Sequence, residues 1–168
     1  MSVLVKNDIA TRRLYATDAS VYEELPESVA FPKNTEECIA LGKAARKNKM
    51  SLIFRAAGTS IAGQCVGGGQ VVDVSRFMTA ILGKPKGNTI RVQPGVIHSD
   101  LDLFLKPFNL KFAPEISTSN RCMIGGMIGN NAAGSHSVIY GTTREHVVAI
   151  EALLSDGSVV EFGPLTDD

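Results

Sequence analysis

The chain contains no tryptophan, so no indole is available to stack on an aromatic ligand. It also lacks an excess of either charge. Seventeen lysines and arginines face 17 aspartates and glutamates, for a formal net charge of zero. Nucleic-acid binding needs a basic face, and this balance argues against one. No apolar run approaches the roughly 20 residues of a membrane-spanning helix. Met1-Ser2-Val3-Leu4-Val5-Lys6 lacks the long apolar core of a secretory signal. Cysteine is scarce, with only Cys38, Cys65 and Cys122, and none falls in a CxxC. No structural metal site is therefore expected. An odd number of thiols without a secretion signal points to a reducing cytoplasm, with a place on the inner membrane face left open. A Walker A loop, a GxGxxG fingerprint and a pair of carboxylates set for acid–base work are also missing.

What the chain has instead is glycine in two concentrated stretches. One is Arg55-Ala56-Ala57-Gly58-Thr59-Ser60-Ile61-Ala62-Gly63-Gln64, and the other is Ile124-Gly125-Gly126-Met127-Ile128-Gly129-Asn130-Asn131-Ala132-Ala133-Gly134. Glycine lets backbone approach a ligand closely and adopts φ > 0. With 168 residues, 44% of them hydrophobic, the chain has enough for one domain or two small lobes around a core.

The periodicity predicts a partly polar N-terminal arm over residues 1–26, with one short helix. Val29-Ala30-Phe31 reads as a strand. Asn34 or Thr35 caps a helix running to Asn48, with Glu37 in the capping pattern. Ser51–Phe54 is the next strand, which makes a parallel, right-handed βαβ unit. The first glycine stretch follows that strand directly, where open parallel sheets bind ligands. A third strand covers Gln70–Val74. Residues 80–82 and 89–92 form a hairpin, and His98 or Ser99 opens a helix reaching Phe108. Residues 113–123 read as an irregular loop and Ile124–Ile128 as a short helix. Val147–Leu154 and Ser158–Phe162 form a hairpin about Asp156-Gly157. Gly163–Asp168 reads as a turn-like tail, a pattern expected of a cut through a larger protein.

Thr59 and Ser60 set hydroxyls beside exposed backbone N–H groups in the first stretch. Gly67-Gly68-Gly69 reads as a flexible tip. Ahead of the second stretch, Pro114-Glu115-Ile116-Ser117-Thr118-Ser119-Asn120 gathers three hydroxyls and an amide. Gly125-Gly126 then opens a helix whose free N–H groups attract anions. Asn130 and Asn131 add amide donors. His98 is expected at a helix start, and His146 as a solvated or capping residue. His136 follows the second stretch closely enough to face a ligand, although a structural role is the commoner one. Met123 and Met127 are expected in the core or beneath the ligand.

Five segments in order carry a family resemblance. Ile53–Gly63 resembles the pyrophosphate loop of FAD-linked oxidases, the vanillyl-alcohol-oxidase or PCMH-type flavin fold. Val71–Phe77 resembles the strand that follows. Val92-Gln93-Pro94-Gly95-Val96 resembles the family's V-x-P-G-V. Ile124–Gly134 with Tyr140–Glu145 resembles its second FAD segment, and Leu154-Ser155-Asp156-Gly157 the turn after it. Tyr15-Ala16-Thr17-Asp18-Ala19-Ser20 resembles the Y-x-x-D-x-S start of the 2-hydroxy-acid branch, the D-lactate dehydrogenases and glycolate oxidase flavin subunits. The match spans roughly residues 15–165.

The resemblance implies an α+β, PCMH-type FAD-binding domain over 27–168 behind the arm at 1–26. A small βαβ lobe near 27–75 and a mainly antiparallel lobe near 76–168 would hold FAD between them. The domain would be truncated at its C-terminus, with the substrate cap domain absent. Ala56, Ala57, Gly58, Thr59, Ser60 and Ile61 would wrap the pyrophosphate, Ser60 through its hydroxyl. Pro114, Glu115, Ile116, Ser117, Thr118, Ser119 and Asn120 would pass along the ribityl chain and flavin. Gly125, Gly126, Asn130, Asn131, Ala132 and Ala133 would meet pyrophosphate and ribityl oxygens, and Gly141 the adenosine half. Many members carry glycine where Ala57 and Ala133 stand, and members with covalent FAD place histidine where Thr59 stands. Non-covalent FAD is expected.

The implied activity is oxidation of a small 2-hydroxy acid to the 2-oxo acid, with electrons passed to an acceptor or an iron–sulfur domain. The catalytic residues are expected beyond Asp168. An alcohol or sugar-lactone oxidase of the same fold, and a nucleotide-binding module without redox chemistry, remain alternatives.

Overall fold

The computed structural model describes residues 3–164. Its first half is a four-stranded sheet. The strands are β1 (Leu4–Lys6), β2 (Ser28–Phe31), β3 (Leu52–Arg55) and β4 (Gln70–Asp73), in the order β1-β2-β4-β3. Helix α1 (Ile9–Leu14) is the short helix expected in the arm, capped by Asp8, whose carboxylate accepts the Thr11 N–H at 2.9 Å. Strand β1 was not foreseen. It is three residues long, exposed throughout, and joins β2 antiparallel at the sheet edge. A strand that buries nothing leaves no alternating pattern to read.

Helix α2 (Thr35–Asn48) links β2 to β3. Its cap is Asn34, whose side chain accepts the Glu37 N–H at 2.9 Å, while Glu37 reaches back to the Lys33 N–H at 2.8 Å. The capping pair forms as the spacing predicts, with the return bond one residue earlier than a standard capping box. The two strands flanking α2 are not neighbours, however. Both pair in parallel with β4, which lies between them. All four residues of β4 are buried. A strand buried on both faces belongs inside a sheet, with a partner on each side.

That insertion matters for the site. Arg55, the last residue of β3, is the register partner of Asp73, the last of β4. The chain therefore leaves the sheet twice at one place, at the strands' carboxyl ends. Buried Val29, Val71 and Phe31 pack on one another, and Ala30, Val72 and Leu41 form a second cluster. Each of these valine, leucine and phenylalanine side chains contributes about 1.5–3 kcal/mol relative to exposure.

The second half contains two antiparallel hairpins, β5 (Ile81–Lys86) with β6 (Thr89–Val92) and β7 (Ile150–Leu153) with β8 (Val159–Phe162). Arg91 of β6 ties them together through Glu151 of β7 at 2.6 Å. Helix α3 (His98–Leu105) continues into a 3-10 turn at Lys106–Phe108. Helix α4 (Ile124–Asn130) packs Ile124 and Met127 against Val96, Leu101 and Leu105. Two short helical turns, α5 (Ser137–Tyr140) and a 3-10 turn at Thr143–His146, occupy a stretch for which no helix was read. They displace the start of β7 from Val147 to Ile150. The tail reading over 165–168 lies outside the described residues.

Cys38, Cys65 and Cys122 are all free and buried. Burial pushes the Cys38 thiol up to about 11, with Glu37 and Glu36 adding to the shift. We expect a thiol reagent at pH 8 to label none of the three quickly in the native protein, and all three after unfolding in guanidinium. Fast native labelling of Cys38 would contradict the core described.

Candidate functional site

A cleft of about 480 Å³ opens at the carboxyl ends of β3 and β4. Arg55, Ala56 and Ala57 line it together with Asp73, Ser75, Asn120, Arg121 and Met123. The volume is in the roughly 300–1,000 Å³ range of small-molecule sites. Ala56 and Ala57 come from the first glycine stretch. Asn120 comes from the hydroxyl-rich loop, and Met123 caps α4. The structure thus brings the first glycine stretch and the loop that leads into the second to one opening.

Tyr15, Arg55, Asp73, Ser75 and Arg121 also line the cleft, and none was among the expected cofactor contacts. Tyr15 donates its hydroxyl to Asp73 Oδ2 at 2.5 Å, and the Arg55 guanidinium sits 5.3 Å from the Tyr15 ring centroid. Burial raises the Tyr15 phenol well above its ordinary range, and the bond to Asp73 raises it further. It stays a neutral donor across the physiological range. Asp73 also accepts the Ser75 N–H at 2.7 Å. Arg121 adds a second guanidinium to the cleft. The strand-end position of Arg55 and Asp73 was the available signal, because ligands gather at such ends.

The two glycine stretches touch. A Cβ built on Gly126 would lie 3.5 Å from Ala56 Cβ, and Gln64 Nε2 donates to Asn130 Oδ1 at 3.2 Å. Gly126 and Gly129 are three residues apart on α4 and share a face. Both are exposed, and Gly129 has no neighbour within 4 Å of an added Cβ. Exposed glycine in a helix costs about 1 kcal/mol relative to alanine. Nothing in the chain's own packing requires it at Gly129. Gly129 was named in the second stretch but not as a contact.

Other residues have structural duties. Gly58 takes φ +67° and its carbonyl accepts the Ala19 N–H at 3.2 Å. Thr59 is half-buried beside it, and Ile61 is 80% exposed. Ser60 donates its hydroxyl to Asp18 at 2.6 Å, so that proton is not directed at a ligand as the resemblance implied. Pro114 is fully buried, which leaves no surface for a ligand to touch. Glu115 accepts Lys111 at 3.1 Å and His136 at 3.0 Å. Ile116 packs on the α3–α4 core, while Ser117 is exposed. The Thr118 carbonyl accepts the Arg121 and Cys122 N–H groups, and the Ser119 carbonyl accepts Ser99 N–H. Of the 114–120 segment, only Asn120 lines the cleft.

The helix-start reading of α4 also needs correction. Ile124 N–H donates to the Val96 carbonyl at 2.9 Å and Gly125 N–H to Pro94 at 2.8 Å. Those two donors are satisfied within the chain. A Cβ on Gly125 would meet Pro94 at 2.6 Å, so packing alone requires that glycine. Asn131 ends α4 in the left-handed region at φ 45°, and its side chain accepts the Arg144 N–H at 3.0 Å. The Ala132 carbonyl accepts both the hydroxyl and the N–H of Thr143, while Ala133 is exposed. Gly141, at φ 81°, packs against the Glu145 carboxylate, which caps the following turn at Thr142.

The histidines fall where the structural reading put them. His98 opens α3, is fully buried, and meets the Phe112 carbonyl through Nε2 at 3.2 Å. A carbonyl accepts, so Nε2 carries a hydrogen, and Nδ1 has no hydrogen-bond partner, with the Asp102 carboxylate 4.0 Å away. His146 meets the Tyr140 carbonyl at 2.7 Å, and exposed His136 pairs with Glu115. Asp18 accepts the Ser20 N–H at 2.8 Å as well as Ser60. Burial raises its carboxyl, but the bonds from Ser20 and Ser60 outweigh that and leave it below its ordinary 3.8. The stabilisation is therefore present at neutral pH and is lost as pH falls below about 4.

Residues 26–163 match the family described as an FAD binding domain. The chain belongs to that family. It is 42% identical over 160 residues to D-2-hydroxyglutarate dehydrogenase of Escherichia coli (strain K12), covering 93% of this chain and 16% of that protein. It is 31% identical over 157 residues to glycolate oxidase subunit GlcD of Bacillus subtilis (strain 168), covering 92% and 33%. The chain thus spans about a sixth to a third of these relatives. The solved structure of 6-hydroxy-D-nicotine oxidase from Arthrobacter nicotinovorans superposes with a TM-score of 0.83 at 20% identity, covering 97% of this chain and 36% of that one. An alkyldihydroxyacetonephosphate synthase superposes at 0.84 and 18%, covering 97% and 32%. These neighbours show the fold, an α+β PCMH-type FAD-binding architecture.

The FAD-binding domain family implies a dinucleotide with an anionic diphosphate, and the residues present suit one. The open helix face at Gly126 and Gly129 leaves room for close approach. Arg55 and Arg121 supply positive charge at the cleft. No helix among the described residues is long and apolar enough to cross a membrane.

Proposed function

We propose that this chain is the FAD-holding part of a flavoprotein that oxidises a small 2-hydroxy acid to the 2-oxo acid. The observation that carries the reading is the contact of the two glycine stretches beside one cleft, in a chain 42% identical to a D-2-hydroxyglutarate dehydrogenase over nearly its whole length. The bound FAD would supply an acceptor for a hydride. This chain's residues bind and orient. Ala56 to Thr59 present backbone along one wall, and Gly126, Gly129, Asn130 and Ala133 form the other. Asn120 and Arg121 line the cleft, with Arg55 and Arg121 offsetting the diphosphate charge. Thr59 offers no imidazole for a covalent tether, which supports non-covalent binding. The groups that choose the substrate and the electron acceptor, a protein or an iron–sulfur domain, belong to the remaining length seen in the relatives. The arm at 1–26, a first lobe near 27–75 and a second from 76 onward are part of the same proposal. So is a cytoplasmic setting, with which three free thiols agree.

The test is spectroscopic. The full-length protein that carries this chain should hold a yellow flavin that is bleached anaerobically by a D-2-hydroxy acid and released intact by acid precipitation. Retained flavin that no hydroxy acid bleaches would favour a binding module or an oxidase of other alcohols. A flavin adduct on residues 55–64 would overturn the non-covalent reading.

A further inference from the structure

Beyond Arg55 the first glycine stretch has no strand or helix of its own, so something else must hold its shape. Four contacts in and beside it reach three residues of the arm, Thr17, Asp18 and Ala19. Ala19 N–H donates to the Gly58 carbonyl at 3.2 Å, and Ser60 Oγ donates to Asp18 Oδ2 at 2.6 Å. Arg55, where the loop begins, donates to the Thr17 carbonyl at 2.6 Å. Cys65 Sγ, where it ends, lies 3.8 Å from Asp18 Oδ2. The arm is itself anchored. Ala16 is 1% exposed, Glu24 N–H donates to its carbonyl at 2.9 Å, and Thr17 bridges to Glu23. Tyr15 packs edge-on against Phe31 of β2 and bonds Asp73 of β4.

We propose that Thr17–Ser20 is a clamp that sets the FAD-ready shape of the first glycine stretch, with Asp18 as its positioning residue. The inference rests on the FAD reading above and adds residues outside the cleft wall. Asp18 acts through Ser60 and does not touch the ligand. A carboxylate is needed because two donors reach it, the Ser20 N–H on Oδ1 and the Ser60 hydroxyl on Oδ2. Asparagine has one acceptor oxygen, so with the Ser20 N–H on it the NH2 could only donate to Ser60 Oγ, reversing that bond and removing its charge. The clamp holds carbonyl 58 and side chain 60 from outside, which leaves the inner N–H groups of the stretch for an anion. Holding the loop before binding removes an ordering cost that would otherwise weaken affinity.

The experiment is FAD titration, by flavin fluorescence, of the full apo-protein as wild type, Asp18→Asn, Ser60→Ala, Ser60→Thr and the Asp18→Asn/Ser60→Ala double variant. Apo unfolding temperature is measured alongside. Each of Asp18→Asn and Ser60→Ala should weaken FAD binding about tenfold, the scale of a charged hydrogen bond lost. Unfolding temperatures should stay within about 2 °C, since the bonds lie in a surface loop. Ser60→Thr keeps the donor and should recover affinity to within about twofold, and the double variant should be little worse than either single. Wild-type affinity in both single variants would overturn the clamp and leave the FAD reading standing. So would a Ser60→Thr variant no better than Ser60→Ala, or affinity falling only in step with unfolding temperature. A wild type that binds no FAD would overturn both. Should Asp18→Asn fail to fold, the two Ser60 variants still decide.

Discussion

Gly134→Ala should cost the native protein a large part of its stability and lower its urea midpoint sharply. A Cβ on Gly134 would sit 1.6 Å from the Glu115 carbonyl oxygen and 2.7 Å from its carbon. No side chain can move to relieve this, because the obstruction is backbone. Both strands of the crossing are pinned. Pro114 is fully buried and Ile116 packs on the core. On the other side Gly134 N–H bonds Ser137 Oγ at 3.0 Å, and its carbonyl accepts Ser137 N–H. The crossing would have to open by more than an ångström. The cost should be about 3 kcal/mol or more, the upper range of overpacking. Native proteins hold only about 5–15 kcal/mol in total. Urea unfolding of the apo-protein measures the effect. Gly129→Ala is the control. Nothing lies within 4 Å of its added methyl, and the helix should gain up to about 1 kcal/mol. Equal unfolding midpoints for the two variants would contradict the packing described.

Gly126→Leu should do the opposite, sparing the fold and abolishing cofactor binding. Gly126 is exposed, and a Cβ there makes only an ordinary contact with Ala56 at 3.5 Å. Alanine fits. A leucine side chain would fill the gap between α4 and the first glycine stretch, where we place the diphosphate. FAD affinity should fall by about a hundredfold or more, roughly 3 kcal/mol. Apo stability should hold or rise slightly, since leucine outranks glycine in a helix. A fluorescence titration with an apo melting curve reads both. Undiminished affinity would remove α4 from the site.

These two glycines show what was legible in the sequence and what was not. Concentrated glycine marked both segments, and motif order tied them to one family. But Gly125, Gly126, Gly129 and Gly134 look alike in a string of letters. Only the fold reveals that Gly125 and Gly134 yield to Pro94 and Glu115, while Gly126 and Gly129 are open. Local signals were read well. The Asn34 cap, the buried β4 strand and both hairpins all depend on residues close in sequence. Strand order was not, because β4 enters between β2 and β3 for reasons of total burial. The Asp18–Ser60 bond spans 42 residues and Gln64–Asn130 spans 66. No periodicity encodes such pairs. Hydroxyls at 117–119 suggested ligand contact. In the fold, the backbone beside them mostly closes turns, with Ser99, Arg121 and Cys122 bonding to the carbonyls of residues 118 and 119.

Amide hydrogen exchange of the full-length protein that carries this chain, with and without saturating FAD, tests most directly whether two glycine walls hold one cofactor. Peptides covering 56–60 and 126–133 should both slow, at the same FAD concentration, while β5 and β6 stay unchanged. Protection of only one segment, or of neither while flavin is demonstrably bound, would contradict the shared site.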